Sequence, residues 1–191
     1  MLVERIIGAF TFRRQVYAEV ERDTTFTMTA WLLVAVVAFL NQLGTHASTK
    51  VLEWLGSTVV GTIWSVIAFA VAAYIMNWMG RALFKADVNL GELVRTLGLA
   101  YVWNVVGVIG VLAGLSDALS CLFTPALVVG WVMLVVSWFV AAKEALDLEV
   151  VQTIVTVALG WLVFGLIMAI GSMVLNLIGV TAAGVGRMFG F

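Results

Sequence analysis

The stretch LSCLFTPALVVGWVMLVVSWFVAA, from Leu119 to Ala142, holds no charged residue. Wound as an α-helix at about 1.5 Å per residue, it is long enough to cross the roughly 30 Å hydrocarbon core of a bilayer. A membrane β-strand needs only about 9–11 residues of alternating polarity, so a continuous apolar run of this length is helical. Four more runs share its character: Phe26 to Leu43, Leu55 to Met79, Leu93 to Leu115 and Val150 to Ile178. The expected fold class is therefore all-α, a polytopic membrane protein with five transmembrane helices. Composition agrees, because 63% of the 191 residues are hydrophobic and 11% are charged. A soluble domain has about 45–50% and about 25%. The third and fourth runs are separated by little more than Ser116, Asp117 and Ala118, a link that forces an antiparallel hairpin.

Charge collects between these runs and ahead of the first. Arg95 alone falls inside them, two residues from an end, where its long side chain is expected to snorkel to the headgroups. The basic residues alternate in number from side to side. Arg5, Arg13, Arg14, Arg22, Arg81, Lys85, Arg95 and Lys143 fall on one side, and Lys50 and Arg187 on the other. Short loops rich in Lys and Arg stay in the cytoplasm, which predicts a cytoplasmic N-terminus and an external C-terminus in the cell membrane. Glu4 and Arg5 interrupt the opening, so the first span is expected to act as an uncleaved signal anchor.

Three regions follow: a cytoplasmic amphipathic arm at 1–24, a five-helix membrane domain at 25–180 and a short external tail at 181–191. In the arm, Leu2, Ile6, Phe10, Tyr17 and Val20 recur at helical spacing while Glu4, Arg14, Glu19 and Glu21 take other faces. The pattern predicts an N-terminal amphipathic interfacial helix, with Arg13, Arg14 and Arg22 toward lipid headgroups. A short helix packed on the end of the bundle is a compatible alternative.

Chemistry-bearing residues are sparse. His46 is the single histidine and Cys121 the single cysteine, so neither a clustered metal site nor an intrachain disulfide is expected. Serines and threonines lack a second histidine or a buried acid to activate them, so no catalytic site is expected. No phosphate-binding glycine loop and no basic stripe for nucleic acid appears. The acids Glu53, Asp87, Glu92, Asp117, Glu144, Asp147 and Glu149 lie at or beyond the span ends, which argues against a proton-coupled transporter. Within the spans the polar set is made of amides and hydroxyls such as Asn104, Asn176, Ser65, Ser137 and Ser172. Asn104, midway along the third span, is expected to hydrogen-bond another helix, with a ligand contact as the alternative, because an unpaired amide in hydrocarbon is costly. Gly107, Gly110 and Gly114 follow it and mark a close helix contact. Trp31, Trp54, Trp78 and Trp103 fall near span ends or within a few turns of them, and several are expected as interfacial anchors.

Three stretches carry a family likeness: Leu2-Val3-Glu4-Arg5-Ile6 with Val16 to Asp23, Leu90 to Tyr101 at the start of the third span, and Trp138 through Lys143-Glu144-Ala145-Leu146-Asp147-Leu148. In their order and in the five-span layout the chain resembles the Ypt-interacting-protein (Yip) family in its short prokaryotic branch. Where family members often carry a proline after the third-span motif, this chain has Trp103-Asn104. The Asp-Leu-Tyr-Gly-Pro-type segment of eukaryotic relatives is absent, so their small GTPase partner is not implied. The resemblance and the residues together imply a non-enzymatic membrane protein without cofactors. It would act through contacts with membrane lipids and other integral membrane proteins. Two other readings are an accessory subunit of a large membrane redox or photosynthetic complex and, with less support, a small-solute transporter or channel.

Overall fold

The computed structural model describes residues 2–48, 50–114 and 116–177, with the side chains of 117 and 175–177 excepted. The expected tail at 181–191, the end of the fifth span at Ile178 and the Asn176 side chain lie outside the described residues. The described chain is helical. Two short helices, α1 (Leu2–Phe10) and α2 (Arg14–Arg22), precede α3 (Phe26–Thr45) and α4 (Val51–Phe84). The third span starts as α5 (Leu90–Ala100), continues as a 3-10 segment from Tyr101 to Ile109, and ends in α6 (Gly110–Ala113). It is followed by α7 (Asp117–Leu146) and α8 (Val150–Leu177). Five of these stretches are long and apolar enough to cross a membrane: Phe26–Thr45, Val51–Phe84, Leu90–Ala113, Ala118–Leu146 and Val150–Val174.

Local chemistry sets the joints. Asn89 and Glu92 form a capping box: Glu92 N–H donates to Asn89 Oδ1 at 3.0 Å and Asn89 N–H donates to Glu92 Oε2 at 2.8 Å. This fixes where the third span begins, and so which way Arg95 points one turn later. Lys85 (φ 58°) and Asp147 (φ 48°) take left-handed conformations that end α4 and α7. Lys143 Nζ donates to the Leu148 carbonyl across the second of these joints, at 2.9 Å.

The third span is the centre of the bundle, packed against α3 on one side and α7 on another, while α8 packs chiefly on α4. Phe69 of α4 is fully buried and meets Trp31, Tyr101 and Trp138 edge-on at 5.6 to 5.9 Å between ring centroids. Trp31 thus packs partly buried against the core, and Phe10 and Phe12 of the arm pack on the partly buried Trp103. Trp54, in the first turn of α4, donates its indole N–H to the Leu43 carbonyl near the end of α3 at 2.8 Å. On α8, Gly160 lies against Met76 and Gly171 against the Trp64 ring, so α8 approaches α4 closely at two levels.

The arm is helical but bent. Phe12 adopts φ 54°, an uncommon conformation for a non-glycine residue, and splits the expected single helix into α1 and α2. The two halves fold together so closely that a Cβ on Gly8 would strike the Val16 side chain.

Candidate functional site

Two sets of polar contacts flank the third span, one at each end. At the arm end, α2 lays Tyr17 and Val20 into the bundle, both fully buried. The Tyr17 hydroxyl is 2.9 Å from Ser137 Oγ of α7, and burial pushes the phenol up to about 12. Arg95, expected to snorkel, is instead buried. It faces the end of α2, whose last carbonyls have no partner in the helix. Its Nε donates to the carbonyls of Val20 at 2.9 Å and Glu21 at 3.1 Å, its Nη2 donates to Glu21, and its Nη1 donates to Thr27 Oγ1 at 3.2 Å. A buried cation is tolerated here because four bonds replace its hydration.

Further contacts close the arm onto the bundle. Arg5 pairs with Asp23 at 2.8 Å and lies 5.0 Å over the Phe26 ring. Hydrogen bonds from Thr25 and then Arg5 hold the Asp23 carboxyl below its ordinary range. At the bend, Phe10 meets Trp103 edge-on at 5.0 Å and Phe12 stacks on it at 5.6 Å. Arg13, Arg14 and Arg22, which sequence reasoning assigned to headgroups, all remain exposed on the outside of the docked arm.

At the other end, α3 and the third span run parallel and meet in matching order. Gly98 faces Ala30, Asn104 faces Asn41, Gly107 and Gly110 face Gly44, and Gly114 faces Ala47. Asn41 Nδ2 donates to both the backbone carbonyl and Oδ1 of Asn104, each at 3.1 Å. A Cβ on Gly110 would come within 2.7 Å of the Gly44 carbonyl oxygen, and one on Gly44 would overlap the Gly107 carbonyl. The backbones can approach this closely only without side chains. The 3-10 winding of Tyr101 to Ile109 coincides with this seam. A run of nine residues exceeds the usual three or four, and Val102, Val105, Val106, Val108 and Ile109 are poor α-helix formers.

The structure thus brings Asn104, Gly107, Gly110 and Gly114 to one seam. The partners on α3, Asn41 and Gly44, were missed by sequence reasoning. Their signal was available: Asn41-Gln-Leu-Gly44 and Asn104-Val-Val-Gly107 repeat the same Asn-x-x-Gly spacing. One layer deeper, Gln42 is buried and donates to Ser65 Oγ at 2.8 Å, and the Tyr101 hydroxyl is buried beside Ser65 and Asn104.

Beside the seam lies a half-enclosed cavity of about 230 Å³ between α3, the 3-10 segment and α7. Asn41, Thr45 and Asn104 supply its polar wall and Trp103 and Trp131 its aromatic edges, and Gly44, Gly107, Gly110 and Gly130 complete the lining. No ionisable residue lines it among the described residues. Nor do the described residues hold a cluster of His, Cys, Asp and Glu suited to a metal ion.

These observations define a multi-pass helical membrane protein with a docked amphipathic arm and an amide-and-glycine seam through its centre. The chain belongs to the Yip1 family: the Yip1 domain model matches residues 7–187, nearly its full length. This is not known as a family of enzymes. Neither the curated proteins nor the solved structures contain a match.

Proposed function

We propose that this protein organises membrane rather than catalysing a reaction, using the docked arm to gather anionic lipid and the bare faces of its outer helices to meet lipid and other membrane proteins. In this reading residues 1–24 lie on the cytoplasmic surface of the cell membrane and residues 25–180 form the bundle. The tail at 181–191 is external.

The observation that carries the reading is the division of labour within the arm. Tyr17 and Val20 are fully buried against α5 and α7, whereas Arg13, Arg14 and Arg22 point outward. An arm that served only to plug the bundle would have no use for three exposed guanidinium groups on its outer surface. A basic residue close to an anionic leaflet contributes about 1 kcal/mol of attraction. Partner contact is supported by α7, where only 11% of the most apolar window is buried, against 44% in the third span.

The test is lipid enrichment around the full chain in nanodiscs made from a mixture of phosphatidylcholine and phosphatidylglycerol. Mass spectrometry of the lipids retained on gentle release should show phosphatidylglycerol enriched. The enrichment should fall in a variant with Arg13, Arg14 and Arg22 all changed to Gln. Equal retention of the two lipids by the unaltered chain would leave the arm a packing role only.

A further inference from the structure

Trp131 belongs to two hollows at once. On one side its ring edges the amide cavity described above. On the other it opens a groove of about 380 Å³ between α7 and α8, lined by Val136, Phe139, Val157, Ala158 and Trp161 and almost wholly apolar. The cavity is neutral, and the side-chain amides of Asn41 and Asn104 and the Thr45 hydroxyl give one wall donors and acceptors without charge. The groove offers hydrocarbon surface alone. A chamber with amide and hydroxyl groups on one wall, sharing one tryptophan with an apolar groove, fits a molecule that joins a small neutral polar group to a hydrocarbon tail.

We infer that the bundle holds one neutral amphiphilic lipid, with its hydroxyl or ester group in the Asn41–Asn104 cavity and its tail along the α7–α8 groove. This rests on the lipid-contact reading above and makes it specific. Two features select the occupant. A phosphate would find no basic side chain among the described lining residues, which turns the site away from phospholipid headgroups. From Trp131 to Phe139 the groove follows α7 for about 12 Å, at 1.5 Å per residue, a length suited to part of one acyl chain. Diacylglycerol, with one free hydroxyl and two ester carbonyls, has the required chemistry.

The experiment uses the full chain in phosphatidylcholine nanodiscs with a diacylglycerol whose acyl chain carries a photoactivatable diazirine. Crosslinked residues are mapped by mass spectrometry. The label should concentrate on the Val136–Phe139 and Ile154–Trp161 stretches, and unlabelled diacylglycerol should displace it where phosphatidylglycerol does not. Ala158→Trp fills the groove from an exposed position and leaves the seam intact, so folding is preserved. It should reduce labelling about fivefold, the equivalent of about 1 kcal/mol. Asn41→Leu should weaken competition by diacylglycerol but not labelling by a hydrocarbon probe without a polar end. The inference is overturned if label spreads evenly to lipid-facing residues such as Met28 and Leu32, if phosphatidylglycerol competes equally, or if Ala158→Trp changes nothing. Phosphatidylglycerol enrichment at the arm is read from headgroup composition and does not depend on this label, so the two readings fail separately.

Discussion

From Leu90 to Ala100 the third span is an ordinary α-helix that holds a buried arginine, and its neighbour is tied to it by hydrogen bonds to that one side chain. From Tyr101 to Ala113 the same span winds more tightly as far as Ile109, carries no charge, and meets its neighbour through backbone with almost no side chain between. The first half holds an arm that water could solvate if it came away. The second holds a membrane helix whose only alternative environment is lipid. The difference explains the choice of chemistry. A cation with fixed donors suits carbonyls at a helix end, which would otherwise seek water. Between two apolar helices lipid gives no hydrophobic drive to associate, and close van der Waals contact must supply it.

The sharpest way to break this comparison is Gly110→Leu. Its Cβ would lie 2.7 to 3.1 Å from the carbonyl oxygen, carbonyl carbon and Cα of Gly44, all backbone atoms that cannot rotate aside. Overfilling a packed site costs about 1–3 kcal/mol when side chains can adjust, and here the cost should reach or exceed the upper end. Thermal unfolding in mild detergent reads it, and an unchanged midpoint would mean that the seam is open to lipid. Next in size is Arg95→Met. It leaves the Val20 and Glu21 carbonyls facing a thioether, at about 1–3 kcal/mol for each buried polar group left unpaired. Undocking of the arm limits the loss, so the effect should appear as fast hydrogen exchange across Arg14 to Arg22 while the exchange of α3 and α4 stays slow.

The sequence made the spans legible because hydrocarbon imposes a length and a polarity that no other solvent does. The predicted Phe26 to Leu43 and the observed Phe26–Thr45 differ by a fraction of a turn. Arg95 was misread for a physical reason. Two residues from a span end, a long cation can reach headgroups or an inner partner, and nothing in its own neighbourhood says that the end of α2 stands in the way. The bend at Phe12 was hidden because the hydrophobic spacing of the arm continues through it. The 3-10 winding was equally hidden, since β-branched residues are common in membrane helices and do not by themselves force a tighter turn. Asn104 was legible as an amide needing a partner, whereas Asn41 and Gly44 at the end of the first span became meaningful only once the parallel register was seen.

The amide pair can be probed on its own through Asn104→Leu, which removes Oδ1 but leaves the backbone carbonyl that Asn41 also uses. Because one of the two acceptors survives, the loss should lie near the roughly 0.6 kcal/mol average of interhelical hydrogen bonds in membranes and below their maximum of about 1.7 kcal/mol. A shift in the unfolding midpoint as large as that of Gly110→Leu would mean that the amides, rather than the glycines, hold the seam together.

The smallest effect belongs to the arm and depends on pH. Burial raises the Glu21 carboxyl above its ordinary range, the charges of Glu92 and Glu144 add to this, and those of Arg22 and Arg95 oppose it. A carboxyl raised by docking is one whose protonated form the docked arm prefers. Its contribution to docking is therefore fully present below the ordinary range of glutamate, about pH 4.3, and is lost as pH rises through the raised value. At neutral pH the ionised side chain works against the Arg95 contacts made by its own backbone. Glu21→Gln removes the charge and keeps those contacts, so hydrogen exchange from Arg14 to Arg22 should slow slightly at pH 7. After correction for intrinsic exchange rates, the two proteins should converge at about pH 4 and below. Faster exchange in the Gln variant at pH 7 would show instead that attraction between the carboxylate and the arginines outweighs its burial, and that the arm end of the span is held by charge as well as by hydrogen bonds.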